Sequence, residues 1–181
     1  MMHHCMRFIP NLLSAFRLVL AVLFPYAPEY AWSWLIVGGG GSDALDGWLA
    51  RRWQAQSRIG AILDPAADKL FILSALLTLA LSEKFSLYLV PPLLARDLLV
   101  AGTAVYAASV GAWESFTRME VRLLGKLATA GQFILLLTAV FCIENIIFSL
   151  WPAILFSVLA AADYGWLFIL ELRTRGAIKH E

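Results

Sequence analysis

Four aspartates in two closely spaced pairs are the residues of this chain best suited to chemistry. Asp43 and Asp46 stand three residues apart, and Asp64 and Asp68 stand four apart. Either spacing places both members of a pair on one face of a helix. Carboxylate oxygens suit hard divalent ions such as Mg²⁺ or Mn²⁺, and four of them suit two ions about 3.5–4 Å apart. The pattern therefore predicts a site for two divalent cations.

Small residues accompany the two acidic pairs. Gly47 and Ala50 follow Asp43 at helical spacing, and Gly60 lies between the pairs. One aspartate alone could be an interfacial charge or a helix cap, but four with bare backbone between them indicate a site that receives a bulky ligand. The run Gly38–Gly41, just before the first pair, predicts close helix packing or a kink.

Asp64 is followed directly by Pro65. An aspartate at the N-cap with proline at the first helical position is a common helix start. We therefore expect the helix that carries the second acidic pair to begin here.

The elements that carry these residues are expected to be membrane helices. Hydrophobic residues make up 61% of the 181 residues and charged residues 15%, against about 45–50% and about 25% in soluble domains. A bilayer span needs about 20 apolar residues. The sequence predicts one all-α membrane domain, a six-helix bundle over residues 11–172, between an amphipathic segment at 1–10 and a cytoplasmic tail at 173–181. The predicted spans are Asn11–Tyr26, Tyr30–Arg51, Pro65–Ser82, Phe85–Ala108, Leu123–Ile143 and Ile146–Leu172.

Charge orients the predicted bundle. Lys84 is the only cation of the loops on one side, whereas the other side carries Arg7, Arg51, Arg52, Arg58, Arg118, Arg122, Arg173, Arg175 and Lys179. Positive residues concentrate in cytoplasmic loops. Both termini and the acidic pairs are therefore expected at the cytoplasmic side, most simply of a bacterial inner membrane.

The acidic pairs belong to a longer pattern, Asp43-x2-Asp46-Gly47-x2-Ala50-Arg51-x8-Gly60-x3-Asp64-x3-Asp68. All eight positions match the signature of the CDP-alcohol phosphotransferase family, whose core is six transmembrane helices. The resemblance implies that Asp43, Asp46, Asp64 and Asp68 hold two Mg²⁺ or Mn²⁺ ions and that Asp68 is the general base. It implies CDP-lipid contacts at Gly47, Ala50, Arg51, Ser57 and Gly60. It also implies a homodimer that acts on CDP-diacylglycerol and an alcohol, with no nucleic-acid partner.

Two further segments resemble phosphatidylglycerophosphate synthases and the related CMP-forming cardiolipin synthases. Residues 9–17 resemble the start of their first span, which implies that Pro10 and Asn11 line the CDP-lipid site. Residues 125–132 resemble the start of their fifth span, although Ala128 replaces the second lysine of the Gly-Lys-x-Lys-Thr run.

The acceptor is expected to be glycerol 3-phosphate, with phosphatidylglycerol and inositol phosphate as alternatives. A phosphorylated acceptor would suit the cationic residues Lys126, Arg118, Arg122 and Arg96. Arg96 forms a pair with Asp97 inside span four, and this pair could equally be a structural bridge.

Two other classes of membrane protein also use acidic helices. A divalent-cation transporter would place its ligands near the bilayer midplane and has no need of Arg51 or the small residues. A membrane prenyltransferase holds a diphosphate through Mg²⁺, but typically with more helices and a different aspartate spacing.

Overall fold

A computed structural model of the chain describes residues 8–53, 60–109 and 123–178, and within these ranges it describes no side chains at 8–11, 43–53, 60–65, 107–108 and 171–178. The regular structure of the described ranges is entirely helical. In chain order the α-helices are α1 (Phe8–Leu23), α2 (Glu29–Trp53), α3 (Gly60–Leu81), α4 (Val90–Leu93), α5 (Ala95–Ser109), α6 (Leu123–Phe141) and α7 (Ile146–Ile178). Short 3-10 turns cover Phe24–Tyr26, Leu87–Leu89 and Ile143–Asn145.

These helices overlap the predicted spans, and the count of six spans stays a prediction. Within the described ranges, two helical segments are long and apolar enough to cross a bilayer, Leu123–Phe141 and Ile143–Leu170. The bent pair Leu87–Leu93 and Ala95–Tyr106 forms a third candidate if it counts as one span. An all-helical membrane protein is therefore what the described residues support.

Helix α3 begins one turn earlier than predicted. The expectation that Asp64 caps this helix is wrong, because α3 starts at Gly60 and Asp64 is already inside it. Pro65 has no amide hydrogen for the carbonyl of Ala61, so one hydrogen bond of the ladder is missing.

Predicted span four is not one straight helix. The segments on either side of Leu94 meet at an angle of 55°. At this break the carbonyl of Leu93 accepts hydrogen bonds from Gln132 Nε2 and Ser157 Oγ, both at 2.8 Å. Side-chain donors that enter the backbone ladder in this way are a recognised cause of helix bends.

The chain divides into two compact units, Met1–Leu87 with Leu136–Glu144, and Tyr88–Leu135 with Asn145–Glu181. In the first unit, α1 packs on both α2 and α3. Leu20 lies 3.7 Å from the position of a Cβ on Gly38, and Arg17 is bonded to Ser42. The earlier residue of α1, Arg17, contacts the later residue of α2, Ser42, so α1 and α2 are antiparallel.

Helices α2 and α3 are also antiparallel. Lys84, just after α3, pairs with Glu29 at the start of α2 at 3.1 Å. Further along α2, Gly39 meets the ring of Phe71, which lies nearer the start of α3. A Cβ on Gly39 would lie 2.5 Å from two ring carbons, so only glycine permits this approach. The close packing predicted for the glycine run is confirmed at this position, and α2 continues through the run as a helix.

In the second unit, α7 packs on both α4 and α5. Gly131 of α6 meets the backbone of Ala153 in α7, with 3.2 Å between the position of a glycine Cβ and the alanine Cα. Pro152 lies inside α7 without ending it. Helix α7 extends to Ile178, beyond the end predicted for span six.

Candidate active site

The contact between Gly39 and Phe71 sets the relative heights of the two acidic pairs. Asp46 and Asp64 each lie seven residues from this contact, about 10 Å along their helices at 1.5 Å per residue. Asp43 lies about 6 Å and Asp68 about 4.5 Å from it, on the same side. Because α2 and α3 are antiparallel, the backbone positions of all four aspartates fall within about one to two helical turns of one another.

Of the four aspartates in the two acidic pairs, Asp68 is the one whose side chain the structure describes. The side chain is 14% exposed, and one carboxylate oxygen lies 3.6 Å from Nζ of Lys69. A carboxylate this deeply buried needs a compensating charge. The side chains of the other three aspartates lie outside the described residues.

The backbone positions of the four aspartates are compatible with a divalent metal site. Among the described side chains no group of three or more His, Cys, Asp or Glu is assembled for a metal ion, since only one of the four aspartates belongs to that set. The helical backbone at positions 43, 46, 64 and 68, the matched heights and the all-oxygen donor set agree with hard divalent ions.

A buried arginine faces the helix that carries the first acidic pair. Arg17 of α1 is 1% exposed, and its Nε donates to Ser42 Oγ at 3.3 Å. Ser42 is itself buried and donates to the carbonyl of Gly39 at 2.7 Å. Sequence reasoning gave Arg17 no role, although a charged residue at mid-helix in an apolar span was a signal for one.

The side chains of all seven predicted CDP-lipid contacts lie outside the described residues. The backbone at these positions is helical in α1, α2 and α3, but the side chains lie outside the described residues for Pro10, Asn11, Gly47, Ala50, Arg51 and Gly60. Ser57 lies outside the described residues altogether. These assignments stay predictions.

Arg96 lies in a polar cluster of the second unit. Its Nη1 donates to Asp97 Oδ1 at 3.2 Å and to Thr129 Oγ1 at 3.3 Å. The guanidinium lies 5.6 Å from the ring centroid of Tyr164. Gly125 leaves space for this arrangement, because a Cβ there would lie 3.1 Å from Arg96 Nη2 and 3.2 Å from the Tyr164 hydroxyl.

Gln132 completes this cluster and ties it to the helix break. Its Nε2 donates to Asp97 Oδ2 at 3.0 Å as well as to the carbonyl of Leu93. The pair of Arg96 and Asp97 is therefore at least a structural bridge between α5 and α6. Sequence reasoning noted Gln132 only as part of a motif, and its position in an otherwise apolar stretch could have marked it.

Among the described residues, Arg96 keeps one donor available, because its buried Nε has no hydrogen-bond partner. Lys126, one residue after Gly125, is exposed. Arg118 and Arg122 lie outside the described residues. Of the four cations predicted to bind the acceptor, the structure thus describes two: Arg96, which belongs to the bridge, and Lys126, which is exposed.

Comparison with known proteins agrees with the residue pattern. The family model described as CDP-alcohol phosphatidyltransferase matches residues 7–164. The chain is 39% identical over 131 residues to the CMP-forming cardiolipin synthase of Streptomyces coelicolor, which covers 67% of this chain. It spans 59% of the length of that relative.

A second group of relatives is matched over more of its length. The chain is 31% identical over 159 residues to the CDP-diacylglycerol–glycerol-3-phosphate 3-phosphatidyltransferase of Sodalis glossinidius, which covers 82% of this chain and 85% of the relative. The corresponding protein of Pectobacterium atrosepticum is 30% identical over the same shares of both chains. The family match spans both acidic pairs, so the chain belongs to the CDP-alcohol phosphatidyltransferase family.

Proposed function

We propose that this protein is an integral membrane enzyme that transfers a phosphatidyl group from CDP-diacylglycerol to an alcohol and releases CMP. The observation that carries the proposal is the complete eight-position signature on two antiparallel helices, α2 and α3, whose register gives the acidic pairs matching heights. The match of the family model over residues 7–164 supports it.

In this proposal the predicted site residues have separate roles. Two divalent ions bound by Asp43, Asp46, Asp64 and Asp68 would offset the negative charge of the diphosphate and of the departing CMP. Gly47, Ala50 and Gly60 leave room for the nucleotide. Arg51 offers a rigid fork of donors to phosphate oxygens, while Ser57, Pro10 and Asn11 contribute further contacts to the CDP-lipid.

Asp68 is the proposed general base. Its carboxylate takes the proton of the acceptor hydroxyl, the freed oxygen bonds to the lipid-side phosphorus, and the bond from that phosphorus to CMP breaks. A carboxylate that is only 14% exposed is shielded from bulk water. This shielding favours proton transfer from a bound alcohol over hydrolysis.

Glycerol 3-phosphate is the proposed acceptor. The support is the match to the two glycerol-3-phosphate phosphatidyltransferases over 82% of this chain and 85% of theirs. Lys126 and Arg96, with Arg118 and Arg122, are proposed to bind the acceptor phosphate. The exposed Lys126 and the unpartnered Nε of Arg96 support this assignment.

Phosphatidylglycerol is the second candidate acceptor. The higher identity to a CMP-forming cardiolipin synthase favours it, as does Ala128 in place of the second lysine. Ala128 is 1% exposed, so this position packs against protein in the present chain and offers no charge to a small phosphorylated acceptor. Inositol phosphate remains a third alternative, since it would use the same cations.

The proposal includes a topology and an assembly. Six spans with both termini in the cytoplasm place the acidic pairs at the cytoplasmic side of a bacterial inner membrane, in keeping with the charge distribution of the loops. The pairing of Lys84 with Glu29 neutralises the one cation of the opposite loops. A homodimer is proposed from the family resemblance.

Purified protein in lipid nanodiscs with CDP-diacylglycerol and Mg²⁺ tests the proposal. CMP release is measured with glycerol 3-phosphate, phosphatidylglycerol, inositol phosphate and serine in turn, and the lipid product is identified by mass spectrometry. We expect release to depend on glycerol 3-phosphate. Release that depends on phosphatidylglycerol alone would make phosphatidylglycerol the acceptor. No release with any of the four would refute the proposed enzymatic function and leave the divalent-cation transporter as the leading alternative.

A further inference from the structure

Arg17 is a buried cation beside the acidic end of α2. Its side chain is 1% exposed, and arginine keeps its charge in proteins. An ion buried in a protein costs several kcal/mol unless opposite charge and hydrogen bonds compensate it. A buried arginine in an apolar first helix therefore needs a specific reason to be there.

Three separate contacts between helices show the height of Arg17 along the helix axes. Its Nε donates to Ser42 Oγ, and Ser42 directly precedes Asp43. Four residues further along α1, the carbonyl of Ala21 accepts a bond of 2.6 Å from Ser74 in α3. Together with the contact of Gly39 and Phe71, these distances put the backbone of Arg17 within about one turn of the height of Asp68.

We infer that Arg17 is a positioning residue for the metal site, which it orders through Ser42. The guanidinium holds the Ser42 side chain, and Ser42 in turn holds the carbonyl of Gly39. The bond from Arg17 joins α1 to α2 at the residue before Asp43, and it thereby restrains the rotation of α2 about its axis at that turn. The inference rests on the proposed function, because it assigns Arg17 to the same acidic site.

Two effects of Arg17 on a metal can be separated by experiment. If only its charge mattered, removal of the cation would make the acidic site more negative and would tighten divalent-ion binding. If it positions α2, its removal loosens the carboxylates and weakens binding. Loss of a residue that orients metal ligands typically lowers metal affinity by about 10–100-fold.

Three variants and one control carry the test. Arg17→Lys keeps the charge and loses the fork of donors, Arg17→Gln loses the charge, and Ser42→Ala removes the bonded hydroxyl while Arg17 stays. Ser74→Ala is the matched control, because it also removes a hydrogen bond between helices of the same unit but lies six residues beyond Asp68 in α3, about 9 Å along the helix.

The measurements are Mn²⁺ binding by electron paramagnetic resonance without substrate, and the Mg²⁺ concentration for half-maximal CMP release. Thermal unfolding checks that each variant is folded. We expect about tenfold weaker Mn²⁺ binding in Ser42→Ala and Arg17→Lys, a similar rise in the Mg²⁺ requirement, and wild-type values in Ser74→Ala.

Two results would overturn the inference while the proposed function stands. One is Mn²⁺ binding in folded Ser42→Ala and Arg17→Lys that equals that of Ser74→Ala. The other is tighter binding in Arg17→Gln, which would assign Arg17 a purely electrostatic effect. Absence of Mn²⁺ binding and of CMP release in the wild-type protein would instead overturn the proposed function, and the inference with it.

Discussion

Substitution of Gly39 by alanine probes the contact that sets the register of the acidic helices. The added Cβ would lie 2.5 Å from two carbons of the Phe71 ring, well inside the distance of an ordinary carbon contact of about 3.5–4.0 Å. Phe71 is fully buried and makes an edge contact with Phe24, with ring centroids 6.1 Å apart. The ring therefore has no open space to enter, and α2 and α3 must move apart by about 1 Å, the difference between these distances.

The expected magnitude follows from two opposing terms. Overpacking of this kind destabilises by about 1–3 kcal/mol, while alanine in place of glycine stabilises a helix by about 1 kcal/mol. Gly41→Ala is the matched control, because a Cβ at Gly41 meets nothing within 4 Å. We expect Gly41→Ala to be neutral or slightly stabilising and Gly39→Ala to be less stable than it by about 1–3 kcal/mol.

Thermal unfolding in nanodiscs and CMP release form the assay. A displacement of about 1 Å at a catalytic site can lower turnover about a hundredfold. We therefore expect turnover in Gly39→Ala to fall by more than the fraction of unfolded protein explains. The double variant Gly39→Ala with Phe71→Leu should recover part of both, since the smaller side chain yields to the new methyl group. Equal stability and turnover in Gly39→Ala and Gly41→Ala would refute the register argument.

Two further predictions concern the second unit. Gly125→Ala should press on Arg96 and lower stability by about 1 kcal/mol or more, whereas Gly102→Ala, where a Cβ meets nothing within 4 Å, should not; equal melting temperatures would contradict the packing at Gly125. Gln132→Leu keeps the volume but removes the donor shared by Leu93 and Asp97. It should cost about 1–3 kcal/mol in chemical unfolding, and an unchanged midpoint would mean that the Ser157 hydroxyl suffices at the helix break.

Helix positions were largely predictable from the sequence. Long apolar runs separated by polar pairs such as Glu83-Lys84 and Glu144-Asn145 mark the helices, because charged and strongly polar residues are costly in the bilayer interior. The bend at Leu94 was not predicted, although Pro91 and Pro92 directly precede it and proline is a common cause of helix kinks. The bonds that Gln132 and Ser157 donate to the Leu93 carbonyl come from other helices and form only in the folded chain.

Some features of the candidate site follow from local sequence, and others depend on packing between helices. The acidic pairs follow from local helical spacing, so sequence alone indicates them, and they remain proposed ligands. The start of α3 was misjudged because the capping preference of Asp64 is weaker than the tendency of the preceding apolar turn to be helical. The role inferred for Arg17 depends on the packing of three helices, which the spacing of residues along the sequence does not indicate.

The most direct test of the central claim measures CMP release against Mg²⁺ concentration for the wild-type protein and for single Asp→Asn variants at 43, 46, 64 and 68. Glu29→Gln serves as the control, because Glu29 is an acidic residue of the same helix α2 that pairs with Lys84 instead. Wild type and Glu29→Gln should release CMP only with the metal. Each Asp→Asn variant should lose turnover, in Asp68→Asn by about a hundredfold or more while CDP-lipid binding persists. Metal-independent release, or turnover in the four variants equal to that of Glu29→Gln, would contradict the account.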